Sequence, residues 1–152
     1  MRRKDLEIKD QAEIEAIIAG ATVCRLAMCS GDRPYVVPLS FGYKDNTLYL
    51  HTAMEGKKLE VLEENSSVCF EMDEDHGVEK RGDHAWEFAV KYRSVVGFGE
   101  ATFIEDLSEK AAALDIFVEH YGVPPEEYPE ALLKVTKVIK VEIDSMTGKK
   151  TD

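Results

Sequence analysis

Between residues 34 and 43 the chain alternates without a break. Tyr35, Val37, Leu39, Phe41 and Tyr43 fall on one face, and Val36, Pro38, Ser40 and Gly42 on the other. A period of two is the repeat of a β-strand, whose successive side chains point to opposite sides. Short turn sequences bound this run, Ser30-Gly31-Asp32 before it and Lys44-Asp45-Asn46 after it. A parallel crossover needs a dozen or more residues, so connections this short force neighbouring strands to run antiparallel. A meander rather than a βαβ layout is therefore expected from this stretch alone.

The flanking sequence extends the pattern. Residues 22–29 and 47–52 read as the strands on either side. Residues 67–73 give a fourth strand, followed by a polar loop over 74–84. A long strand pattern covers 86–103, with Trp86, Phe88, Val90, Tyr92, Ser94, Val96 and Phe98 on one face and Gly97 and Gly99 on the other. Paired glycines within a strand point to a bulge or a close backbone approach. A last strand is expected over 135–143, with residues 145–152 as a tail. Three helices are expected. The first spans 10–20, with Asp10 as cap, Glu13 completing a capping box, and Ile14, Ile17 and Ile18 on one face. The second covers 57–64. The third starts at Asp106 and ends at Gly122, before the Pro124-Pro125 break. Six strands with three helices fit a mainly β chain, a small antiparallel barrel with peripheral helices.

With 152 residues the chain is read as one domain, residues 1–152, large enough for a hydrophobic core. A net charge of -11 argues against nucleic acid or an anionic membrane surface as partner, since both require basic patches. No apolar run reaches membrane-spanning length, and the start, Met1-Arg2-Arg3-Lys4-Asp5-Leu6, lacks the apolar core of a secretory leader. Cys24, Cys29 and Cys69 are odd in number and carry no metal-type spacing, so reduced thiols in a cytoplasmic protein are expected. No metal site is expected, because His76 and His84 are separated by a loop and no Cys-x-x-Cys or His-x-x-x-His is present. Walker, Rossmann and Gly-x-Ser-x-Gly patterns are also missing.

Gly56-Lys57-Lys58 opens the second helix against the usual rule. Helix N-termini carry partial positive charge and favour acids, not lysines. Two readings stand. Lys57 and Lys58, with the free helix amides, the close approach allowed by Gly56 and the hydroxyl of Thr52, could hold a phosphate. Equally, Glu60, Glu63 and Glu64 could neutralise the lysines as ordinary helix ion pairs. His51 precedes this stretch on a strand. Pro38 cannot donate to a strand ladder, which marks an edge strand, a bulge, or a backbone facing a ligand. Ser94 interrupts an apolar face and could bond either a ligand or a buried backbone group. Trp86 and Tyr92 form an aromatic wall, of the core or of an interface between copies.

Four blocks carry a resemblance: Pro34-Tyr35-Val36-Val37-Pro38-Leu39-Ser40-Phe41, Leu48-Tyr49-Leu50-His51-Thr52-Ala53, Gly56-Lys57-Lys58, and Tyr92-Arg93-Ser94-Val95-Val96-Gly97-Phe98-Gly99. In order and spacing, over about residues 10–143, they resemble the pyridoxamine 5'-phosphate oxidase-like flavoproteins, and within them the nitroimidazole-resistance (Nim) group. The resemblance implies a split β-barrel that binds FMN at a homodimer interface. It implies that the backbone of Val36, Val37, Pro38 and Leu39 follows the isoalloxazine ring. It places His51, Thr52, Ala53, Lys57 and Lys58 at the ribityl and phosphate groups, and Tyr92 and Ser94, with Trp86 nearby, close to the flavin across the interface. An FMN-dependent oxidoreductase acting on a small molecule follows, with His51 as the catalytic acid–base candidate. A flavin-binding sensor without turnover is the alternative. Haem in place of flavin, on His51, His76 or His84, is a third. The basic substrate-phosphate site of pyridoxamine phosphate oxidase proper is missing, so vitamin B6 synthesis is not expected.

Overall fold

The computed structural model describes residues 2–151. A short 3-10 turn, Lys4–Leu6, leads into β1 (Glu7–Ile8) and α1 (Gln11–Gly20). Then follow β2 (Cys24–Ser30), β3 (Arg33–Leu39), β4 (Gly42–Lys44), β5 (Thr47–Thr52), α2 (Lys57–Glu64), β6 (Ser67–Lys80), β7 (Phe88–Ile104), α3 (Leu107–His120), α4 (Glu130–Lys134) and β8 (Lys137–Lys150). The strands form one antiparallel sheet in the order β3-β2-β6-β7-β8-β5-β4, with β1 added beside β8. The two ends of this order, β3 and β4, are joined by Ser40 and Phe41 alone. Three chain steps separate Leu39 from Gly42, which span at most about 11 Å when fully extended. The sheet must therefore curl until its edges nearly meet, which makes the antiparallel barrel expected from the sequence.

The inner face of the barrel is the core. Leu26, Phe41, Leu48, Leu50, Phe70, Met72, Val95, Ile139 and Val141 are all fully buried. Ile17 and Ile18 of α1 close the core from one side, and Leu59 and Leu62 of α2 add to it. Burial of each such side chain contributes about 1.5–3 kcal/mol. The helix caps are local. Asp10 accepts from Ala12 N at 3.0 Å, and Asp106 accepts from Ser108 N at 2.9 Å and Glu109 N at 3.0 Å. The expected capping box of α1 is left half made, because Glu13 pairs with Lys150 of β8 at 2.8 Å instead.

Four sequence expectations are corrected. The single strand over 34–43 is two strands, since the chain leaves one sheet edge after Leu39 and joins the other at Gly42. The expected loop over 74–84 is mostly strand; β6 runs to Lys80 with an irregularity between Asp75 and Val78, leaving a connection over 81–87. The expected tail over 145–152 continues β8 to Lys150, paired with β7 and β1, while Asp152 lies outside the described residues. Finally, β1 and α4 were not foreseen. The polar stretches in β6 and β8 look like loop because their outward side chains face solvent and their pairing partners are distant in sequence.

Candidate functional site

β3 ends the strand order and pairs only with β2. Its other edge therefore presents backbone N–H and C=O groups without a strand partner, and Pro34 and Pro38 remove two of the donors. Tyr35, Val37 and Leu39 turn inward onto the core. Val36, 60% exposed, and Pro38 turn outward. The four residues expected along the flavin ring thus share one open edge, two of them with side chains on the outer face. The edge-strand reading of Pro38 holds, and an edge of this kind leaves its hydrogen-bonding groups free for a ligand.

α2 begins beside this edge. Gly56, at φ 140, occupies the cap position in a backbone conformation that L residues rarely adopt, and it brings no side chain to cap the first amides. Lys57 Nζ lies 4.6 Å from the centroid of the Tyr35 ring, a cation–π contact that ties α2 to β3. Among the described residues neither Lys57 nor Lys58 forms an ion pair. Glu64, one of their expected partners, instead accepts from Ser30 Oγ at 3.0 Å. The self-neutralised reading of the lysine pair is thus not the arrangement formed. Positive charge collects at a helix start whose amides are already electropositive.

Thr52 ends β5, half-buried, and Ala53 follows it exposed. The His51 ring meets Phe117 of α3 edge-on at 4.4 Å. Burial against this helix pushes the imidazole pKa down, and the charge of Lys58 pushes it further the same way. A pKa below the ordinary histidine value keeps the ring neutral at neutral pH, able both to accept and to donate a proton.

Trp86, Tyr92 and Ser94 stand elsewhere. β2 and β6 lie between β3 and β7. The register runs Pro38, Arg25, Glu71, Val96 across the outer face. Three strand spacings put Pro38 and Val96 about 14 Å apart, and Ser94 and Tyr92 lie farther along β7. Tyr92 takes a hydrogen bond from Lys149 Nζ, which also sits 5.0 Å from its ring centroid. Trp86 is 76% exposed and stacks on His84 with centroids 4.6 Å apart. The face of β7 that carries Phe88, Val90, Val96 and Phe98 is open, whereas Val95, Gly97 and Gly99 point inward. The aromatic wall of the sequence is therefore an uncovered outer face and not core.

Sequence reasoning missed two residues here. Tyr35 underlies Lys57. Arg25 lies opposite Pro38 and is bound by Glu71 at 2.9 Å and by Asp73. Both carboxylates are more than forty positions away in sequence, so no local signal could have joined them. Of the histidines proposed for haem, His76 bonds Glu74 at 3.2 Å and His84 stacks on Trp86. Among the described residues no three His, Cys, Asp or Glu side chains are grouped to hold a metal ion, and no helix is long and apolar enough to cross a membrane.

Residues 10–150 match the family described as pyridoxamine 5'-phosphate oxidase. The chain is 37% identical to a candidate 5-nitroimidazole antibiotic resistance protein of Bacteroides thetaiotaomicron, with a TM-score of 0.86 over 95% of this chain and 86% of that one. It is 26% identical to an FAD-binding protein of Mesorhizobium loti, with a TM-score of 0.69 over 94% and 96% of the two chains. It also matches protein RA0666 of Rhizobium meliloti at 29% identity over 69 residues, 45% of this chain and less than half, 45%, of that protein.

Proposed function

The chain belongs to the pyridoxamine 5'-phosphate oxidase family, whose match covers residues 10–150, and on that premise we propose that it is an FMN-dependent oxidoreductase of the nitroreductase type. The observation that carries this reading is the pair Lys57 and Lys58, without an acidic partner, at an uncapped helix start beside an open strand edge. A phosphate dianion satisfies those charges with charge-assisted hydrogen bonds. A flat ring bearing donors and acceptors suits the open edge of β3, where Val36 faces outward with both its N–H and its C=O. One anion patch beside one edge suits a mononucleotide. The likeness to a candidate nitroimidazole-resistance protein supports the nitroreductase type, and the likeness to an FAD-binding protein supports a flavin.

Bound FMN supplies the hydride and electron chemistry. The chain's own residues do the rest. Lys57, Lys58 and the first amides of α2 hold the phosphate, the edge of β3 orients the ring, and neutral His51 is placed to exchange a proton near the ribityl end. The purified protein is expected to be yellow, with flavin absorbance, and to oxidise reduced nicotinamide when a nitroaromatic or quinone acceptor is supplied. A colourless protein that takes up no added FMN would overturn the cofactor. Flavin without turnover across a broad acceptor panel would leave a sensor.

The open face of β7 takes a second copy of the chain in this reading, which brings Trp86, Tyr92 and Ser94 of that copy to the flavin. An outer face with Val90, Val96 and Phe98, all at least 36% exposed, is unusual on a chain of net charge -11 and calls for cover. At a two-fold interface Phe98→Glu places two like charges in an apolar contact at once. By light scattering the wild type should run as a dimer and Phe98→Glu as a monomer that has lost FMN. A wild-type monomer at micromolar concentration would remove the second copy from the site.

A further inference from the structure

One turn at the end of α3 touches both the corner that follows β3 and His51 near the end of β5. Tyr121, the residue after the helix, accepts from Phe41 N at 3.0 Å and donates its hydroxyl proton to Thr22 O at 2.9 Å. His120 Nε2 bonds Ala21 O at 2.8 Å, and because a carbonyl only accepts, that nitrogen carries the proton. The His120 ring lies 4.3 Å from that of Phe41. Phe117 meets Tyr121 at 5.4 Å and His51 at 4.4 Å. Gly42 passes directly beneath the helix, where a Cβ would stand 2.8 Å from Ile116 O and from Phe117 N.

Ser40 and Phe41 form the corner at which the chain leaves β3 and enters β4. β3 is held by β2 along one edge only, so the corner fixes where its free edge ends. Lys57 and Lys58 follow β5, and near its end His51 meets Phe117 edge-on. The same helix turn is thus the common reference for both.

We infer that Tyr121 is a positioning residue that sets the spacing between the open edge at residues 36–39 and the anion site at Lys57 and Lys58. The inference rests on the FMN reading above. FMN spans both places, whereas lumiflavin occupies only the ring place and inorganic phosphate only the anion place. Phe41 is completely buried. In Tyr121→Phe its N–H loses its acceptor, and a buried donor without a partner drives local movement. The movement changes the distance between the two places more than it changes either one.

The test compares three ligands on wild type and Tyr121→Phe: FMN and lumiflavin by their own fluorescence, and inorganic phosphate by competition with FMN. The expected result is FMN affinity about tenfold lower, a loss in the range of one orphaned hydrogen bond, with lumiflavin and phosphate unchanged. Equal loss for all three marks a general structural role and overturns the inference, as does unchanged FMN affinity in a folded variant. Should Tyr121→Phe fail to fold, Phe117→Leu keeps the Phe41 hydrogen bond and removes the ring that His51 meets. It must show the same FMN-selective loss, and its absence overturns the inference equally. A wild type that binds no FMN shows itself before any variant is made, and that result is the failure of the cofactor reading.

Discussion

Replacing Lys57 and Lys58 together by alanine is expected to weaken FMN binding at least a hundredfold while slightly stabilising the empty protein. The two effects have opposite signs and one cause. Hydrogen bonds from charged groups contribute about 1.5–3 kcal/mol each, so loss of two ammonium donors from a phosphate costs about 3 kcal/mol or more of affinity. Without the phosphate the lysines oppose the helix dipole, and their removal relieves about 0.3–1 kcal/mol each at an exposed helix start. Among the described residues neither lysine has an acidic partner to lose, and the cation–π contact of Lys57 with Tyr35 offsets only part of this gain. The measurement is FMN titration at several salt concentrations together with thermal unfolding of the apoprotein. Wild-type affinity should fall as salt rises, and the variant should show little salt dependence. If FMN affinity is unchanged and the apoprotein is less stable, the lysines serve the fold and the phosphate lies elsewhere.

Gly99→Ala is expected to destabilise the fold by about 3 kcal/mol or more, at the upper end of overpacking in a well-packed interior. The site gives little room to escape. A Cβ on Gly99 would stand 2.2 Å from Glu142 O and 3.1 Å from Val141 Cγ1. The first obstacle is backbone, and its strand, β8, pairs with β7 on one side and β5 on the other. Moving it breaks two ladders at the register shift between Phe98 and Gly99. Thermal unfolding should fall by about 10 °C for a chain of this size. Ser145→Ala, at an exposed outward position of β8, is the control and should change stability by no more than about 0.5 kcal/mol. A Gly99→Ala variant that melts with the wild type would show that β7 and β8 slide apart at little cost.

Part of the architecture was legible because it is written in neighbouring residues. The turn at Lys44-Asp45-Asn46 is a hairpin with Asp45 at φ 49 and Asn46 at φ 60, and both residue types tolerate that backbone. Asp10 and Asp106 cap the helices expected of them. The alternation in residues 35–39 is the split the fold shows, with Tyr35, Val37 and Leu39 together on the core side. The alternation itself hid the corner at Ser40 and Phe41, because both faces keep their parity across it. Likewise Glu74 and Asp75 look like loop to any local rule, yet they pair with Arg93 and Tyr92 across β7.

The candidate site divides along the same line. Sequence order alone singled out the odd lysine pair, the proline in a strand and the paired glycines, because each violates a rule that acts over a few residues. Whether those violations mean anything depended on atoms far away in the chain. Glu64 could have neutralised the lysines, and only the packing of α2 on β2 gave it to Ser30. Pro38 could have sat at any irregularity, and only the curl of the sheet made its strand an open edge beside α2. The sequence by itself determined strands, caps and turns, whose energies are settled within a turn or a hairpin. The tertiary structure decided which charges stay unpaired and which edges stay open, because these depend on what long-range pairing leaves over.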